Sequence, residues 1–136
     1  MRYYLDSSVA LHAVLPKGDA QAVGWVRQAV ETRDQVFSSV LLRLEMIRTL
    51  RREGLTLSLA EPLLARLSLT RLTDPIVKAA EMIERHVRAL DALHLATLIQ
   101  VDPTATLVSH DARMAGVAGH LGIPVFDPMA DRRLEG

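Results

Sequence analysis

The chain has 136 residues, 49% of them hydrophobic and 24% charged, with no cysteine and a formal net charge of zero. That size and composition describe one globular domain with a proper core, and they exclude a disordered chain, a disulfide scaffold, thiolate chemistry and a global positive field for nucleic acid. No apolar run reaches membrane-spanning length and an aspartate at position 6 argues against a signal peptide, so a cytoplasmic protein without a membrane segment is expected, any nucleic-acid contact being made by local patches.

In chain order, short apolar runs alternate with longer stretches of helical period, the pattern of a doubly wound parallel sheet. A first strand over residues 3–5 precedes Asp6 and a helical pair over about 7–15 and 19–31, split by Pro16-Lys17-Gly18. A second strand at 35–38 leads into a helix over about 40–53, closed by Gly54. The next helix, over about 58–67, opens with the capping-box spacing of Ser58 and Glu61. After a third strand at 68–72, Asp74-Pro75 reads as an N-cap followed by proline at the first helical position, opening a helix toward His86. Asp91 lies at or near the start of the following helix, which Asp102-Pro103 breaks. Strands at 106–108 and 124–126 complete a five-stranded sheet. The organisation expected is one domain over 1–130 and a charged tail over 131–136.

Four acids stand where this pattern collects ligands. Asp6 and Asp111 each follow a strand and open a helix, and in an open parallel sheet such turns lie at the carboxyl edge, where ligands bind. Aspartate is also a favoured N-cap, so Asp6, Asp111 and Asp91 each have a purely structural explanation. Glu45 differs. On a helical wheel Met46, Ile47 and Leu50 share an apolar face, while Glu45 lies with Arg48, Thr49 and Arg52 on the opposite one, where an ion pair with Arg48 or Arg52 is the plain alternative. Taken together, Asp6, Glu45, Asp91 and Asp111 form a set of hard oxygen ligands suited to Mg²⁺ or Mn²⁺ and not to zinc. His94, one turn beyond Asp91, reads as a capping or packing histidine before it reads as an orienting group. Ser109 is the better placed of the nearby hydroxyls. Arg43, Arg48, Arg51 and Arg52 give the one local cationic surface. Beside a metal site they, with Arg113, would anchor phosphates. No glycine-rich phosphate loop, GxSxG or HExxH motif occurs.

These residues resemble the PIN-domain ribonucleases, and among them the VapC-type toxins of prokaryotic toxin-antitoxin modules. The resemblance rests on Asp6-Ser7-Ser8 after the first strand, on Glu45 within the helix that carries Arg48 and Arg52, on Asp91-Ala92-Leu93-His94-Leu95-Ala96-Thr97, and on Ser109-His110-Asp111-Ala112-Arg113. Gly122-Ile123-Pro124-Val125-Phe126-Asp127-Pro128 is similar to the family's last strand. Each motif is short, but four in order span almost the whole chain. The family often has threonine where this chain has Ser109, and the hydroxyl is kept. The resemblance implies a three-layer α/β/α sandwich around a mostly parallel sheet and Mg²⁺- or Mn²⁺-dependent cleavage of RNA. It also implies a homodimer and inhibition by a small VapB-type antitoxin. In that scheme Asp6 and Asp91 chiefly hold metal with Glu45 and Asp111, Ser109 binds phosphate or a water, and Arg48, Arg52 and Arg113 grip flanking phosphates. Two other classes remain: a metal-dependent phosphatase or phosphotransferase, although Asp6-Ser7-Ser8 offers no Asp-x-Asp and Lys17 and Lys78 are the only lysines, and a non-catalytic binding domain that would be indifferent to divalent ions.

Overall fold

The computed structural model describes residues 1–130, so the expected charged tail lies outside the described residues. Five strands, β1 (Tyr3–Leu5), β2 (Val36–Ser39), β3 (Ser68–Thr70), β4 (Thr106–Val108) and β5 (Val125–Phe126), form one sheet in the order β3-β2-β1-β4-β5. Every pairing is parallel. The helices are α1 (Ser7–Ala10), α2 (Ala20–Ala29), α3 (Val40–Arg52), α4 (Glu61–Leu64), α5 (Asp74–Glu81), α6 (Ala89–Val101) and α7 (Ala112–His120), with 3-10 turns at Leu11–Ala13 and Leu57–Ala60. The result is a three-layer α/β/α sandwich of PIN-like topology, as expected.

Strand alternation divides the core in two. Leu5, Val36 and Val108 point to one face, where they meet Val9, Val26, Leu42, Met46 and Leu50; Tyr4, Phe37 and Leu107 point to the other, against Leu95, Leu98, Met114 and Val117. With both faces covered, even the polar residues of β2 are buried, and they are satisfied: Ser38 Oγ donates to Leu5 O at 2.7 Å and Ser39 Oγ accepts from Leu41 N at 3.1 Å, which starts α3 without a loop. Gly54 ends α3 at φ 68°, with Leu55 N donating to Leu50 O (2.9 Å) and Gly54 N to Arg51 O (3.1 Å), the bond pair of a Schellman cap.

Three expectations need correction. The helix over 58–67 is a 3-10 turn followed by the single α turn α4, and no capping box forms: Thr56 holds the N-cap position without a side-chain cap, its hydroxyl 3.0 Å from that of Ser58. Pro62, which has no N–H, sits in the first turn of α4 and restarts the helix there. Asp74 is the first residue of α5, whose N-cap is Thr73, and α5 stops at Glu81, well before His86. Beyond it Ile83 and Val87 pack against the core, so the chain turns there to bring in α6. Finally, Leu41 and Leu42 widen the buried face of α3, so Glu45 lies on its shoulder, below Leu41, and not on the solvent side with the exposed Arg48.

Candidate active site

The sheet order makes β1 the place where the chain changes direction: it runs outward through β2 and β3, then crosses back to β4 and β5. Register does the rest. Leu5 pairs with Val108, and the ladder continues past the strands, Asp6 N donating to Val108 O at 3.0 Å, so Asp6 emerges beside Ser109. This is the carboxyl-end crevice of an open α/β sheet.

Asp6 has the N-cap position of α1 but makes no side-chain cap. Its Oδ2 instead accepts from Ser8 Oγ (2.6 Å) and Ser109 Oγ (2.9 Å), with the carboxylate buried. Both bonds fall on one oxygen and leave Oδ1 to a ligand. Ser109 itself is buried and also accepts from Asp111 N at 3.1 Å, while Ser8 Oγ accepts from His110 N at 2.8 Å, so the two loops are tied together through these hydroxyls.

Among the described residues Glu45 pairs with no arginine. Its Oε1 lies 2.6 Å from Nε2 of His94, whose Nδ1 lies 2.6 Å from the Tyr4 hydroxyl. A carboxylate can only accept, so Nε2–H donates to Glu45, while Nδ1 faces a hydroxyl that can either donate or accept. His94 is fully buried, its ring edge-on to that of Tyr4 at 5.7 Å. Burial pushes the Tyr4 phenol well above the usual tyrosine range, which keeps it protonated. One oxygen or nitrogen of each of Asp6, Glu45 and His94 lies within 4.8 Å of the others.

Asp91 lies in the first turn of α6, whose N-cap position belongs to Arg88, so it is not a cap. Arg88 Nε is 3.1 Å from Asp91 Oδ2, and its Nη2 is 3.3 Å from Asp111 Oδ2. Asp111 does cap: its Oδ1 accepts from Arg113 N (2.9 Å) and Met114 N (3.1 Å) at the start of α7. Burial raises the Asp91 carboxyl above the ordinary carboxylate range; Arg88 draws it back, and the charges of Asp6 and Asp111 add to the rise. The bond to Asp91, with the charges of Asp91, Asp111 and Glu45, holds Arg88 more firmly protonated than usual.

The structure thus sets Asp6 close to Glu45 and His94, and joins Asp91 to Asp111 through Arg88, near enough for the Asp6 charge to act on Asp91. The anticipated basic residues stand further out: Arg48 is exposed on α3, Arg52 pairs with Glu53 at 3.5 Å, and Arg113 is exposed on the first turn of α7. Tyr4 and Arg88 were not foreseen here, Ser8 ranked behind Ser109 among the nearby hydroxyls, and His94 was weighed mainly as packing. The signal for two of them was the three-residue spacing Arg88, Asp91, His94, which puts all three along one side of a helix. Asp6, Glu45 and Asp91 each have one oxygen anchored by the protein and Asp111 has both, and such a set of carboxylates fits a hard divalent ion.

The PIN-domain family model matches residues 3–120, and the chain belongs to the PIN-domain family. PIN domains are in general nucleases and typically use a divalent metal. Among solved structures, FitAcB from Neisseria gonorrhoeae is similar with a TM-score of 0.74 at 18% identity, over 93% of this chain and 98% of that one. VapBC2 from Rickettsia felis, bound to a DNA fragment from their promoter, is similar with a TM-score of 0.72 at 14% identity, over 93% and 98%. PAE2754 from Pyrobaculum aerophilum gives 0.66 at 16% identity, over 96% and 91%. No curated protein matches the chain in sequence. Among the described residues no helix is long and apolar enough to cross a membrane.

Proposed function

We propose that this chain is a metal-dependent endoribonuclease, the toxin of a type II, VapBC-type toxin-antitoxin module, working in the cytoplasm as a homodimer and restrained by a small VapB-type antitoxin. The observation that carries the nuclease reading is Asp6: a buried carboxylate at the N-cap position of α1 that does not cap, oriented by two serine hydroxyls and set beside Glu45. Asp6 and Asp91 would hold Mg²⁺ or Mn²⁺, with Glu45 and Asp111 binding directly or through water. Such an ion supplies an activated water and offsets the charge that develops on the phosphate.

The chain's own residues then position. His94 fixes the rotamer of Glu45, and Ser8 and Ser109 fix that of Asp6, as outer partners of ligands do in metal sites. Arg113, Arg48 and Arg52 lie on exposed helix turns and would grip phosphates flanking the scissile one. The toxin reading is supported by the likeness of the fold to the FitAcB and VapBC2 structures. The test is incubation of purified protein with structured RNA in Mn²⁺, Mg²⁺ or chelator, followed by analysis of the ends. Cleavage only with the ion, leaving 5′ phosphates, is expected. Chelator-indifferent cleavage, or 2′,3′-cyclic phosphate ends, would reject it.

A further inference from the structure

Arg88 is the one cation bonded into the described acid site, and it is bonded to the outer pair only. Its guanidinium spans Asp91, from α6, and Asp111, from the loop before α7, using a different nitrogen for each and meeting the Oδ2 atom of both. The Arg88 side chain is 70% exposed while that of Asp91 is 6% exposed, so a loose cation lies over a fixed anion. A divalent ion held by Asp91 and Asp111 would compete for those oxygens, and two cations cannot share them without strong repulsion. Exposed pairs of this kind are weak, so release of the arginine costs little. Once released, Arg88 remains tethered three residues before Asp91, within reach of anything bound at the acids, and a guanidinium fork suits a phosphate as well as a carboxylate.

We propose that Arg88 is the resident counter-ion of the metal-free site, exchanged for the divalent ion when the site loads and then free to bind the RNA phosphate beside it. This rests on the nuclease reading of the same acids. It assigns Arg88 as a residue that sets both the ion concentration at which the enzyme loads and its grip on substrate.

The experiment compares wild type, Arg88→Gln, Arg88→Lys and, as a control for general field effects, Arg85→Gln, an exposed cation three residues away. Mn²⁺ binding is followed by the signal of the free ion, without RNA. Binding of a mixed-sequence single-stranded RNA 12-mer is then followed in saturating Ca²⁺. Arg88→Gln should bind Mn²⁺ about fivefold more tightly, the worth of a weak exposed pair, while melting at a lower temperature in chelator. Arg88→Lys should fall between, and Arg85→Gln should change Mn²⁺ affinity less than twofold, a small fraction of a pair's worth. RNA binding by Arg88→Gln should weaken by roughly tenfold, the scale of one charge-assisted contact. Unchanged or weaker Mn²⁺ binding by Arg88→Gln, or an equal gain in Arg85→Gln, overturns the exchange. Tighter Mn²⁺ with unchanged RNA binding overturns the phosphate role. A wild type that binds Mn²⁺ and cleaves RNA while Arg88→Gln behaves identically refutes this proposal alone; a wild type that binds no Mn²⁺ refutes the nuclease reading with it.

Discussion

The two halves of the acid site are held in opposite ways. Asp6 and Glu45 are fixed from inside the protein, by serine hydroxyls and by a fully buried histidine that is itself anchored on Tyr4. Asp91 and Asp111 are joined from outside, by an arginine that is mostly in solvent. Hydrogen bonds in a dry interior are strong and their loss is costly, whereas an exposed ion pair is screened and exchangeable. The contrast teaches that one half is pre-organised and the other is open to exchange, which would suit the proposed loading of an ion followed by admission of a polyanion.

The most damaging break in the fixed half is Asp6→Asn. The amide keeps an acceptor for Ser8 and Ser109 but loses the charge, so RNA cleavage should fall by about a thousandfold, roughly 4 kcal/mol of activation free energy, with an unchanged circular dichroism spectrum. Residual activity above a tenth of wild type would remove Asp6 from the chemistry.

His94 separates stability from positioning. His94→Ala opens a cavity and removes the 2.6 Å partner of the buried Tyr4 hydroxyl, costing about 3 kcal/mol in denaturant unfolding. His94→Gln can still donate to Glu45; it should recover part of the activity, and His94→Ala should be down roughly 10–100-fold, as for lost outer partners of metal ligands. Equal activity in the two variants at matched folded fraction would show that His94 serves packing alone.

In the exchangeable half the effects are smaller and depend on pH. The folded pKa of Asp91 lies above its ordinary value of 3.8, so the folded state favours the protonated acid. Metal-free stability should therefore fall as pH rises from that ordinary value through the raised one, and the penalty should persist at higher pH. Asp91→Asn removes this slope and should melt above wild type at neutral pH in chelator, whereas wild type should gain far more from Mn²⁺, about 2.7 kcal/mol at a hundredfold excess over Kd. Parallel melting profiles across pH would contradict the assignment. Smallest is the cap: Asp111→Ala should lose about 1 kcal/mol by freeing the amides of Arg113 and Met114, while Asp111→Asn, which keeps an acceptor there, should lose much less.

Much of this was legible in the chain. Every strand lies within a residue or two of where its apolar run placed it, because β1, β2 and β4 are buried on both faces and must be apolar or satisfied. Gly54 marked the end of α3 because a left-handed position there favours glycine. The cap signals were less informative: Ser58, Glu61 and Asp74 all looked like helix starts, yet local capping is worth about 1 kcal/mol and yields to packing. Asp6, Asp91 and Asp111 looked alike as capping residues, and only Asp111 caps.

The sequence by itself determined the alternation of strands and helices, and with it the arrival of Asp6 and Asp111 at one edge of the sheet, since period and strand order follow from local pattern and connectivity. Which partner each acid has was decided only in three dimensions. Glu45 is 49 residues from His94, Tyr4 is 90 from it, and Asp6 is 103 from Ser109, and such pairings depend on register and on the rotation of α3 and α6 against the sheet. A rotation of α3 by one residue would turn Glu45 to solvent beside Arg48. It is held from doing so by the burial of Leu41, Leu42, Met46 and Leu50, residues that take no part in the site.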